Sequence, residues 1–231
     1  MTYNEINPER IAPVAWVGLS YPLIGDISSV TATIPGRPGV VYGGHAYGGK
    51  RIQVTFAVLG GPRLIPETVD ALNAWAWAEE LKPLRVDDRG YYRAALVSAE
   101  DVSMEYGARL AYTFLAPDGL KYGPERSAAL HNGSVTLYRG GSAAPGWTLD
   151  YTLTQQAAEL FWRNGTHRIA LTGDFAAGSS VHIDAGAELV EINGYNAMRY
   201  LTYDSRFFSL APGENTVYGP GGTITYQEAW L

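Results

Sequence analysis

Apolar residues occupy every second position of Arg51–Val58, so Ile52, Val54, Phe56 and Val58 share one face. Period two marks a strand with one side on a core and the other in water. Strand-like runs flank it: Ile11–Val17, interrupted near Gly18, then Ser28–Ile34, and later Leu110–Leu115, which ends in the Pro117-Asp118-Gly119 turn. Leu84–Asp88 and Tyr91–Val97 surround Asp87-Asp88-Arg89-Gly90, a hairpin signal. One segment has helical spacing. From Pro66 to Pro83 the residues Val69, Leu72, Trp75 and Ala76 form a stripe, with Pro66 in the first turn, Glu67 and Asp70 near the positive end and Pro83 as terminator. Residues 35–50 have no periodic apolar face and are rich in Gly, Pro and Tyr, which predicts a long hairpin or arm.

Gly119, Gly123, Pro124 and Gly133 punctuate a polar stretch, and beyond it the pattern changes. Short strands recur with turns at Asn164-Gly165, Gly173, Gly178 and Asn193-Gly194, the spacing of a β-sandwich or jelly roll. Residues 155–163 are the one helical candidate there. The last stretch, Ser205–Leu231, reads as packed antiparallel strands: Phe207, Phe208 and Leu210 enter a Pro212-Gly213 turn, Thr216–Tyr218 follows, and Gly219–Gly222 leads to a docked Trp230-Leu231. The expected organisation is a mainly β chain with domains at 1–126 and 127–231.

Composition agrees: among 231 residues, 27 Gly, 13 Pro and 16 Tyr favour a turn-rich β protein, and 46% hydrophobic residues supply a core for each domain. Net charge is −6, with −2 from residues 1–126 (12 basic, 14 acidic) and −4 from 127–231 (5 basic, 9 acidic). Neither half suits gripping phosphate backbones, so no sequence-specific nucleic-acid partner is expected. There is no cysteine, which excludes disulfides and thiolate metal sites. No secretory signal is evident near Met1, and no apolar run approaches the ~20 residues of a membrane helix.

Candidate chemistry is sparse. Gly44–Lys50 fits the first part of a phosphate-binding loop, but Arg51 stands where a magnesium-binding hydroxyl is needed, and a strand follows where a helix is needed. Asp87 and Asp88 form a carboxylate pair, with Glu100, Asp101 and Glu105 downstream. As neighbours on a hairpin they point to opposite faces, and backbone capping in the turn suits them better than shared catalysis. A hydrolase on this scaffold requires two carboxylates about 5–10 Å apart in a cleft. His45, His131, His167 and His182 include no pair at helical metal spacing, and His182 alternates with Val181 and Ile183 toward solvent. No Gly-x-Ser-x-Gly elbow exists. Asn132-Gly133-Ser134 and Asn164-Gly165-Thr166 are formal glycosylation acceptors that double as turns. Trp147, Tyr151, Trp162, Tyr195, Tyr200 and Tyr203 are candidate sugar-stacking or docking aromatics, an alternative function as a carbohydrate-binding module for host adhesion. No catalytic residue, metal or cofactor is expected.

The order of parts resembles the distal tail protein family of long-tailed, siphovirus-like bacteriophages. The resemblance rests on Lys50–Phe56, the helix, Leu84–Asp88 with Tyr91–Ala94, and Tyr112–Tyr122. In the second half it rests on Val181–Asp184, Asn193-Gly194, Phe207–Asn215 and Trp230-Leu231, and residues 135–165 follow the pattern least. It implies a first domain of β-sheet or split-barrel type with one helix, forming a homohexameric ring. It also implies a second, galectin-like or carbohydrate-module-like β-sandwich that docks partners. The partners would be further copies, the tail tube protein, the hub or tip protein, and tape measure or receptor-binding proteins, at the distal tip of a virion made in the host cytoplasm. The arm that meets a neighbouring subunit would comprise Val41, Tyr42, Gly43, Gly44, Tyr47, Lys50 and Arg51.

Overall fold

The computed structural model describes residues 1–103, 108–131 and 133–231. The chain divides into two compact units, Met1–Lys121 with Leu231, and Tyr122–Trp230. Glu105 and the Asn132 acceptor lie outside the described residues.

The first unit contains β1 (Thr2–Tyr3), β2 (Val14–Ser20), β3 (Ile27–Ala32), β4 (Val41–Tyr47), β5 (Lys50–Val58), α1 (Ile65–Ala76), β6 (Lys82–Asp87), β7 (Gly90–Ser103) and β8 (Arg109–Ala116). Apart from β3 and β4, its strands join in the antiparallel order β1-β6-β7-β8-β5-β2. The period-two reading of β5 holds: Ile52, Val54 and Phe56 are fully buried. They align with Phe114, Tyr112 and Leu110 of β8, so both strands present large side chains to one side. Trp75 of α1 packs edge-on against this layer, with ring centroids 5.8 Å from Tyr3, 5.8 Å from Phe56 and 6.1 Å from Phe114. Its indole N–H donates to the Ile6 carbonyl at 3.1 Å, so the buried ring leaves no orphan donor. The helix ends at Ala76, earlier than expected from Pro83, and Pro83 lies in β6 instead. The stripe stops where Ala76 is buried and Trp77 turns outward, so no apolar face remains to hold another turn.

The second unit holds β9 (Lys121–Leu130), β10 (Ser134–Arg139), β11 (Trp147–Thr152), β12 (Ala157–Asn164), β13 (His167–Phe175), β14 (Ser180–Asp184), β15 (Leu189–Ile192), β16 (Tyr195–Asn196), β17 (Gly213–Tyr218) and β18 (Gly222–Trp230). Its strands form two layers, β16-β15-β14-β11-β18-β9 and β10-β17-β12-β13. One apolar cluster fills the space between them, with Trp147, Leu149, Ile183 and Ile224 from the first layer and Leu160, Trp162, Leu171 and Val217 from the second.

Four expectations change here. Residues 155–163 form most of β12, because Leu160 and Trp162 alternate with exposed Glu159, Phe161 and Arg163. Gly173 lies inside β13, where the Phe175 and Tyr200 rings close over it. Phe207–Leu210 are not a strand, although Phe208 and Leu210 are buried. And the antiparallel strands expected at the end of the chain, β17 and β18, do not pair with each other: they belong to opposite layers, and Gly219–Gly221 carries the chain across. A Cβ at Gly219 would lie 2.4 Å from Cδ1 of Trp162, so only glycine lets the crossing pass so close to that ring. Asn193 and Gly194 have φ of 53° and 76°, the left-handed pair required by the tight turn between β15 and β16.

Candidate functional site

The arm expected at residues 35–50 is the turn and second strand of a two-stranded antiparallel hairpin, β3–β4, whose first strand is the run read at 28–34. Among the described residues the hairpin pairs with no other strand. Ile27 aligns with Tyr47 and Ala32 with Val41, with a bulge between Val30 and Thr31. No residue of 27–47 belongs to either apolar core. Val30 is 63% exposed and Tyr42 59%, and Ile27, Ile34, Val40, Val41 and Tyr47 are exposed as well. An isolated hairpin is marginal in water, and exposed β-branched and aromatic side chains along both of its strands mark an unpartnered surface. Its two strands are held by the backbone ladder, and within β4 the His45 ring bridges the hydroxyls of Tyr42 and Tyr47, the latter at 2.9 Å. Val41, Tyr42, Gly43, Gly44 and Tyr47 all lie on this hairpin.

Lys50 and Arg51 do not; they begin β5. Arg51 is exposed, but Lys50 is only 2% exposed and is no surface contact. Its ammonium donates to the Leu23 carbonyl at 3.4 Å and lies 5.4 Å from the Tyr92 ring centroid. Burial lowers its pKa, and the neighbouring Lys121 charge lowers it further. The glycines before it lead into a strand, so the phosphate-loop fragment has no helix N-terminus to complete it.

The aromatic set in the second unit does not form a face. Trp147 is 1% exposed and donates to the Phe208 carbonyl at 2.6 Å; Trp162 is 0% exposed and donates to the Gly221 carbonyl at 3.0 Å. Both are core residues, since a buried indole needs an acceptor and each has one in the backbone. Tyr151 is half-buried edge-on to Trp162, with centroids 5.9 Å apart. Tyr200 is half-buried against Phe175. Tyr195 and Tyr203 are exposed, but Tyr195 belongs to β16 and Tyr203 to the loop after β16, with neither tryptophan beside them.

Asp87 caps the turn, accepting from the Arg89 N–H at 2.9 Å, and forms an ion pair with Lys121. Burial tends to raise its carboxyl, but the hydrogen bonds from Lys121 and Arg89 outweigh that and hold it below the ordinary value. His182 lies on the outer side of β14 and meets Asp150 at 2.7 Å. The Asn164 side chain donates to Asn215 at 3.1 Å. No group of three or more metal-ligating side chains occurs among the described residues.

A different face has the features of a binding site. On the outer side of β12 the residues Glu159, Phe161 and Arg163 succeed one another at every second position. Arg163 aligns with Arg168 on β13 and with Tyr218 on β17. The Arg163 guanidinium stacks on the Tyr218 ring at 4.5 Å. Arg168 is held by Asp204, with Nε 2.9 Å and Nη2 2.5 Å from the same carboxylate oxygen. Hydrogen bonds from Thr202 and Arg168 lower the Asp204 pKa. Glu159, Phe161, Arg163, Arg168 and Tyr218, with Thr166, Gly219 and Pro220, line a cavity of 820 Å³. The alternation of Glu159, Phe161 and Arg163 with Leu160 and Trp162 carried the signal for this face, and reading 155–163 as helical hid it.

Residues 140–230 match the family model of the siphovirus-type tail component, C-terminal domain. The sequence matches no curated protein. Among solved structures, the chain is similar to phage SPP1 Dit, described as a paradigm of the hub adsorption apparatus in phages that infect Gram-positive bacteria. The TM-score is 0.87 at 17% identity, covering 100% of this chain and 98% of that one. It is also similar to a chain of the phage P2 baseplate in its activated conformation with calcium, with a TM-score of 0.45 at 11% identity over 94% of this chain and 91% of that one; a likeness this loose carries no argument. The chain therefore has the fold of SPP1 Dit over its whole length, and the resemblance read from the sequence holds at the level of fold.

Proposed function

We propose that this protein is a structural component of a bacteriophage tail, assembling as a homohexameric ring at the distal end and joining the tail tube to the tip or baseplate hub. Residues 1–126 would form the ring. Residues 127–231 would present a docking face for tail-tip proteins, with tape measure and receptor-binding proteins as further neighbours. The match of residues 140–230 to a tail-component family supports the tail assignment. The observation that carries the ring is the β3–β4 hairpin, whose apolar side chains belong to neither core and whose edges meet no other strand among the described residues. A second copy of the chain supplies the missing surface, since unpaired strand edges and exposed apolar residues are the usual means of association between copies. The net charge of −6 would let DNA pass a ring of such subunits without adhering.

The test is mass photometry with class averages of purified protein, beside the hairpin variant Val30→Asp/Tyr42→Asp. Both positions are exposed, so the variant should keep its circular dichroism and melting temperature. The parent should form six-fold rings and the variant monomers. A folded parent that remains monomeric at every concentration, or a variant that assembles equally well, would sink this reading.

A further inference from the structure

We propose that the outer face of β12, β13 and β17 is a binding site for a neutral saccharide, with one pyranose ring against Phe161. The cavity of 820 Å³ falls within the roughly 300–1,000 Å³ range of small-ligand sites. Its chemistry is mixed in a way that suits a sugar. Phe161 is 42% exposed, an apolar ring facing water on a strand whose neighbouring positions carry charges. Such a ring offers a flat surface to the C–H face of a pyranose. Glu159 and Arg163 flank it two positions away on either side, so the three span about 13 Å along the strand. The Glu159 carboxylate and the Thr166 hydroxyl have no hydrogen-bond or ion-pair partner among the described residues, and the Arg163 guanidinium has only the Tyr218 ring. Acceptors, a planar set of donors and a hydroxyl are therefore uncommitted around one aromatic surface, which matches a ligand with an apolar face and a hydroxylated edge.

Charge selects among sugars. The two arginines lie side by side, but Asp204 already engages Arg168, and Glu159 stands on the same face as Arg163. An anionic group brought to Arg163 would meet that carboxylate and the net −4 of residues 127–231. A neutral saccharide uses both Arg163 and Glu159 without that cost. The site is complete within one chain, so it stands or falls independently of ring assembly.

The test is ligand-observed NMR and calorimetry on the full chain with neutral tetrasaccharides as probes: cellotetraose, maltotetraose, chitotetraose and a β-galacto-tetraose. At least one should bind. Phe161→Ala should weaken it about tenfold or more, because base-type or sugar-type stacking on one ring carries that much of a weak affinity. Phe161→Trp should preserve binding. Glu159→Gln and Arg163→Met should each weaken it several-fold, and raising the salt from about 0.05 to 0.5 M should leave affinity nearly unchanged. Melting temperature and oligomeric state should not move in any variant. The proposal is overturned if no probe binds at about 10 mM, if Phe161→Ala binds like the parent, or if affinity collapses with salt, which would identify an anionic ligand.

Discussion

Arg139 is the residue whose removal should most damage the second unit. It is the last residue of β10, it is 0% exposed, and it forms no ion pair among the described residues. Its guanidinium instead donates to three backbone carbonyls: Leu210 at 2.6 Å, Pro145 at 2.9 Å and Gln227 at 2.8 Å from Nη2 and 3.2 Å from Nε. These carbonyls belong to three separate segments: the irregular stretch before β17, the loop before β11, and β18. One fork therefore ties both layers of the sandwich to the two connections that wander between them. Burial pulls the Arg139 pKa down, with the Tyr226 hydroxyl opposing, yet a guanidinium stays charged at any ordinary pH. In Arg139→Met the stem is retained and the carbonyls lose their donor. Each carbonyl left unsatisfied costs about 1–3 kcal/mol, while removing a desolvated charge returns part of that, so the net loss should be about 2–4 kcal/mol. Arg139→Lys should fall between, since one ammonium cannot reproduce the fork. Urea unfolding followed by Trp147 and Trp162 fluorescence measures this, because both indoles are buried in the same unit. If Arg139→Met lies within about 0.5 kcal/mol of the parent, the carbonyls do not depend on the fork and the reasoning fails.

Two further predictions concern the first unit. Burial pushes the Tyr92 and Tyr112 hydroxyls up to about 12. Their ordinary value is 10.0, so the stability they contribute is fully present below pH 10 and is lost as pH rises from about 10 to 12. Tyr112→Phe should flatten that alkaline loss by about 2–3 kcal/mol at its upper end, read as denaturation midpoints across the range, while costing about 1 kcal/mol at neutral pH through the lost 3.0 Å bond to Asn73; an unchanged alkaline slope would refute it. Lys50→Met should be neutral or stabilising by up to about 2 kcal/mol in thermal melts, because the buried ammonium has, among the described residues, one long carbonyl contact and a ring centroid 5.4 Å away. A clear destabilisation would mean that the Tyr92 and Leu23 contacts outweigh the cost of burying the charge.

What was legible in the sequence was what strand periodicity and turn chemistry determine locally. Ile52, Val54 and Phe56 had to share a face, and Asp87–Gly90 and Asn193-Gly194 had to turn. The arm was visible as an absence, a stretch where no face could be buried. What was not legible depended on partners far along the chain. The end of α1 is set by where the sheet beneath it stops offering apolar surface, and Pro83 gives no hint of that. The separation of β17 and β18 into opposite layers rests on Gly219, whose missing Cβ matters only because a Cβ there would lie 2.4 Å from the Trp162 ring. Lys50 reads as a surface residue in a Gly-rich segment, and only the fold encloses it.

The candidate site turned on one step of strand register. Phe161 and Trp162 are adjacent aromatics, and a strand must send one inward and the other outward. Composition favours neither, since both rings suit a core or a sugar. The indole N–H decides it. Buried without an acceptor it would be destabilising, and the crossing at Gly221 supplies a carbonyl at 3.0 Å on the inner side. With Trp162 fixed inside, Leu160 follows it into the core, and Glu159, Phe161 and Arg163 are committed to solvent together. The acceptor that buries the tryptophan thus also determines which aromatic ring the outer face presents. A substitution that deprived Trp162 of its acceptor should therefore loosen the outer face as well as the core, and the two losses should be inseparable in any mutant of Gly219 or Gly221.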